Sequence, residues 1–130
     1  AFERLTSANL AMRSFGDFRY WAMDRAITRL ETSSSREEEA AAEIERHLRA
    51  LQETDAAEVA VVRVQVEAVR KAMEEALKAY QAGAAAGGGS AVAKSRAALS
   101  LAGEALQTSV GRHQRDAVSA ADDVERSADR

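Results

Sequence analysis

The chain reads as all-α: an antiparallel up-down-up-down four-helix bundle with long first and last helices. Three observations predict this. There is no Pro, and six of the seven Gly lie beyond residue 80, so helix breakers are confined to one region. Apolar residues recur by threes and fours, most regularly at Val59, Val62, Val66, Val69, Met73, Ala76 and Tyr80. Polar or glycine-rich breaks divide the sequence into four such segments.

The first segment runs from Phe2 to Leu30 and stops at a polar break, Thr32 to Ser35. The second starts in that break, where Ser34 with Glu37, or Ser35 with Glu38, has the spacing of a capping box. It carries Ala40, Ala41, Ile44, Leu48 and Leu51 on one stripe and reaches Glu53. Thr54 and Asp55 form a tight break, and Asp55 with Glu58 repeats the box. The third segment holds the valine seam and ends near Ala82. Gly83 to Ser90 reads as a flexible linker. The fourth segment, from Ser90 or Ala91 onward, has the stripe Leu99, Ala102, Leu106, Val110, His113, Ala117, Ala121 and Val124. Its spacing drifts towards an eleven-residue period.

Composition narrows the class. The 130 residues suit one domain, 1–130, with a modest core. Apolar residues make up 46%, but 30 residues are Ala and aromatics are only 5%, so helices must pack closely through small side chains. The net charge of −3 has interleaved signs, which argues against a nucleic-acid groove. The absence of Cys excludes disulfide and thiol chemistry. No apolar run has membrane-spanning length. No P-loop, Glu-x-x-His pair or Ser-His-Asp ordering stands out, so neither an enzyme nor a cofactor is expected.

Short joints make neighbouring helices antiparallel. With the longest segments first and last, the start of the first and the end of the fourth should run on together as a two-helix stalk. Both chain ends fall mid-pattern, as in an insert between two continuing helices. If those helices cross a membrane, the chain is the sensing part of a receptor.

The stretch Phe15, Gly16, Asp17, Phe18, Arg19, Tyr20, Trp21, Ala22, Met23, Asp24, followed by an Ala/Glu-rich hairpin and an Ala-rich last helix, resembles the four-helix-bundle sensor domains of bacterial chemoreceptors and sensor histidine kinases. The resemblance implies a periplasmic, extracytoplasmic module of an inner-membrane protein, touching the membrane only through flanking segments. It also implies a homodimer, a small ligand or periplasmic partner protein, signalling through the stalk, and no catalysis. A helical scaffold that binds other proteins and no small ligand is the alternative.

A helical wheel at about 100° per residue puts Leu5, Met12, Met23 and Leu30 of the first segment on one face, flanked by Phe15, Ala26 and Ile27. Arg19 falls near the centre of that face, where a charge needs a partner. On this reading Arg19, with Tyr20, His47 or His113, receives an anionic group. Alternatively Arg19 reaches solvent between helices, or pairs with Glu43 or Asp116. Two His without a third ligand are too few for zinc, so no metal site is expected. Trp21 points away from the predicted core beside Ser14, Arg25 and Phe18, which suggests a homodimer interface there.

Overall fold

The computed structural model of the chain describes residues 2–28 and 31–128. These form four helices packed against one another: α1 (Phe2–Thr28), α2 (Glu31–Leu51), α3 (Ala56–Gln81) and α4 (Ala85–Ala128). Among the described residues there is no strand. The most extensive packing joins α3 to α4 and α1 to α2, with α1 against α4 next.

The 3–4 spacing places the core where expected on three of the helices. Val59, Val62, Val66, Val69, Met73 and Ala76 of α3 are all buried. So are Ala40, Ile44, Leu48 and Leu51 of α2, and Leu99, Ala102, Leu106, His113 and Ala117 of α4. The fourth-segment stripe fails beyond that point, because Ala121 and Val124 are exposed. No two-helix stalk is buried there: residues 121–128 of α4 have exposed side chains throughout.

The α1 face differs from the wheel. Its buried residues are Ala8, Ala11, Ser14, Phe15, Phe18 and Ala22, while Leu5, Met12 and Met23 are only half-buried. This stripe is rotated by about 90° from the predicted one, at 100° per residue. The cause is size. Alanines at 8, 11 and 22 let the backbone of α1 approach its neighbours, and the flexible Met side chains fill the edges of the contact instead of its centre. Leu30 lies outside the described residues, as do the side chains of Ala26 and Ile27.

Helix boundaries also shift. Thr32 to Ser35 are not a break but part of the first turns of α2, so Ser34 does not cap a helix start. The Gly-rich stretch is mostly helix as well, since α4 begins at Ala85. The turn before it is closed by Gly83, with φ of 76°. Its N–H donates to the Tyr80 carbonyl at 3.1 Å, and the Ala84 N–H donates to the Ala79 carbonyl at 2.8 Å. That is the paired hydrogen-bond pattern of a Schellman motif, which needs a left-handed residue at this position. Gly88 is required for another reason: a Cβ there would run into the Tyr80 ring.

Candidate functional site

The predicted site residues separate into three places. Arg19 and Tyr20 stand together on α1, where both are exposed. Arg19 lines two hollows that share Gly16 and Met23 as walls. The larger, about 550 Å³, lies between α1 and α4 and is walled by Met12, Phe15 and Arg19 on one side and by Arg96, Leu99, Gly103, Glu104 and Gln107 on the other. The smaller, about 410 Å³, opens on the Tyr20 and Asp24 side of α1. Arg19 therefore reaches water between helices and does not sit at the centre of a core face. Glu43, one of its possible partners, instead takes Arg46 at 2.5 Å and His47 at 3.6 Å.

His113 belongs to a different site. It is buried on α4, and its Nε2 lies 2.8 and 2.9 Å from the two carboxylate oxygens of Asp55. Asp55 is fully buried at the start of α3. Burial pushes its carboxyl up, but hydrogen bonds from Ser109, Thr54 and His113 outweigh that and hold it below the usual carboxylate range. Arg112 adds an ion pair to Asp55 at 3.4 Å and hydrogen-bonds Glu58. The hydrogen bond from Arg112 holds the Glu58 carboxyl below its ordinary value, against a smaller opposing effect of burial.

The Asp55–Glu58 capping box is thus not made. Asp55 occupies the N-cap position of α3 without a side-chain capping bond, and both acids face α4 instead. Ser109, Asp55 and His113 do not have the order of a nucleophilic triad. The serine bonds the aspartate and not the histidine, and all three side chains are buried. The contacts clamp the α3 start to α4. One signal in the sequence points to this clamp: His113 interrupts an otherwise apolar stripe, and a buried polar side chain needs a partner.

Arg25 holds a third polar site. It does not lie on an outer surface. Its Nη1 contacts the Glu37 carboxylate at 3.3 and 3.4 Å, and its Nε is buried without a hydrogen-bond partner. Glu37, at 1% exposure, also has Arg70 at 4.0 Å. Burial raises the Glu37 carboxyl above its ordinary value, and attraction to Arg25 and Arg70 only partly offsets this. Asp55 and Glu37 are therefore acids inside the bundle.

The proposed interface set is also rearranged. Phe18 is fully buried and Ser14 is 8% exposed, so both lie inside the single chain and cannot line a dimer surface. The 90° rotation of α1 accounts for this. Trp21 is half-buried and meets the Tyr20 ring edge-on, centroids 4.9 Å apart at 87°.

Among the described residues, no group of three or more His, Cys, Asp or Glu could hold a metal ion, and no helix is long and apolar enough to cross a membrane. Comparison with family models, with curated proteins and with solved structures finds no match to this chain.

Proposed function

We propose that the chain is an up-down-up-down four-helix sensing module that receives a small anion in the α1–α4 groove and relays the event along α4. The groove carries this reading. It joins the first and last helices, and each contributes one guanidinium, Arg19 and Arg96. Neither makes a hydrogen bond or ion pair to another described residue. An anion bridging them would gain charge-assisted hydrogen bonds that favour one relative position of α1 and α4.

The order of contacts supports the antiparallel arrangement. Arg25 near the end of α1 meets Glu37 near the start of α2. Glu37 and Glu45 of α2 meet Arg70 and Arg63 of α3 in reverse order. Asp55 just before α3 meets His113 of α4, while Tyr80 at the end of α3 stands against Gly88 at the start of α4. Past Ala117, α4 continues to Ala128 as a helix able to carry a displacement out of the bundle. In a bacterial membrane receptor of chemoreceptor or sensor-kinase type, the module would be extracytoplasmic, non-catalytic and paired with a second copy.

A second reading rests on Val61 and Val64 of α3 and Leu101 of α4, which are exposed at 40, 63 and 48%. Large apolar side chains on an outer face suit a helical scaffold that docks another protein.

A melting-temperature screen of the chain with inorganic and organic anions at constant ionic strength separates the two. The sensing reading expects at least one anion to stabilise the wild type and to lose that effect in Arg19→Ala and in Arg96→Ala. No selective stabilisation by any anion leaves the scaffold reading.

A further inference from the structure

The ligand class follows from what the groove lacks as much as from what it holds. Its floor is apolar: Phe15 and Leu99 are buried there, and Met12 and Met23 are half-buried beside them. Two glycines, Gly16 of α1 and Gly103 of α4, also line it. A Cβ at Gly16 would meet nothing within 4 Å, and one at Gly103 would stand 3.4 Å from the Phe15 ring. The space above Phe15 is therefore open because both facing helices lack a side chain there. Neither glycine sits in a turn or has a left-handed backbone, since both lie inside helices where Gly is a poor helix former.

The charges at the rim set the ionic part. Arg19 and Arg96 contribute two positive charges and Glu104 one negative, a net of +1 among the groove's lining residues. A single carboxylate matches that balance. A phosphate dianion would bring Glu104 an additional like charge.

We propose that the groove takes a monocarboxylate with an apolar body, its carboxylate held between Arg19 and Arg96 and its body over Phe15 in the space left by Gly16 and Gly103. This rests on the anion-receiving reading of the same groove and names the chemical class of its ligand. The planar guanidinium forks suit a carboxylate, and the Phe ring with two Met thioethers suits an aryl group.

The test uses phenylacetate as probe, with acetate and inorganic phosphate as controls, on the whole chain. Affinity is read by titration of amide NMR shifts, with Gly16 and Gly103 as local reporters, and by melting temperature. Phenylacetate should shift both glycine amides and raise the melting temperature, and acetate should bind at least tenfold more weakly. Gly16→Leu, on an exposed helical position with open space around it, should fold and lose phenylacetate binding by at least tenfold. Arg96→Met should do the same.

If acetate or phosphate binds as tightly as phenylacetate and Gly16→Leu keeps the response, the apolar-body class is wrong while the anion-receiving groove stands. If no anion shifts the glycine amides, both readings fall. A phenylacetate response that survives Arg96→Met and Arg19→Met overturns the inference by placing the carboxylate elsewhere.

Discussion

Glu37 and Asp55 lie near opposite ends of α2, and both are acids with almost no solvent exposure. They titrate in opposite directions. Around Asp55 the donors converge: His113, Ser109 and Thr54 hydrogen-bond it, and Arg112 lies within ion-pair distance. Among the described residues, the nearest side-chain donor to Glu37 is one Arg25 nitrogen at 3.3–3.4 Å, Arg70 stands at 4.0 Å, and Glu74 repels. Neither carboxylate reaches solvent, but Glu37 lies deeper among protein atoms, so its desolvation is larger and fewer donors arrive at hydrogen-bonding distance to offset it.

The sharpest way to break this comparison is to remove each acid. Asp55→Ala leaves His113 buried opposite a cavity and takes one partner from Arg112. It should cost about 3–5 kcal/mol, the range for breaking a buried pair, measured by urea unfolding. Glu37→Gln keeps the shape and removes a charge that burial already disfavours. It should change stability by no more than about 1 kcal/mol at neutral pH. Equal losses in the two variants would end the distinction.

The pH dependence sharpens it further. The folded Asp55 titrates below its ordinary 3.8. Its contribution to stability is present above that value and is lost as pH falls through the lower folded value. The folded Glu37 titrates above its ordinary 4.5. Its contribution is full below 4.5 and is lost as pH rises through the higher folded value. Stability curves from pH 2 to 8 should therefore lose part of their acid limb in Asp55→Asn and part of their decline above pH 4.5 in Glu37→Gln. An Asp55→Asn curve parallel to wild type would contradict the donor account.

The smallest effect belongs to the rim of the Asp55 cluster. Arg112 is 36% exposed, so its bond to Glu58 is screened by water. Glu58→Ala should cost about 1 kcal/mol or less, and 1 M salt should shrink the difference. A loss as large as that of Asp55→Ala would mean that Glu58, not Asp55, anchors Arg112 and the start of α3.

The sequence made the helices legible wherever large apolar residues occur every third or fourth position. The valine seam of α3 is the strongest case, because Val59, Val62, Val66 and Val69 keep the three-four spacing and are all buried, while Val61 and Val64 fall off it and are exposed. On α1 the rule misleads. Six buried positions there hold three Ala, two Phe and one Ser, and Ala marks no face by itself. The larger Leu5, Met12 and Met23 pull the wheel towards the groove edge. Arg19 is legible as a cation near a helix contact, but Arg96, which lines the same groove, is not, since nothing in a single sequence aligns two helices in height. Asp55 is concealed by its own position: an acid just before a helix satisfies the capping rule without any need for His113, 58 residues further on. Glu37 is concealed in the same way behind Ser34.

Gly87, Gly88 and Gly89 occupy the first turns of the longest helix, and only Gly88 has a close neighbour that forbids a side chain. Each Gly weakens helix propagation by about 1 kcal/mol relative to Ala. A helix of 44 residues that begins this way has an asymmetric nucleation profile. Its helical propensity is lowest in the Gly-bearing first turn and highest in the Ala- and Leu-rich middle. The first turn of α4 should therefore open more readily than the middle of the same helix, and its amide protons should exchange with water sooner.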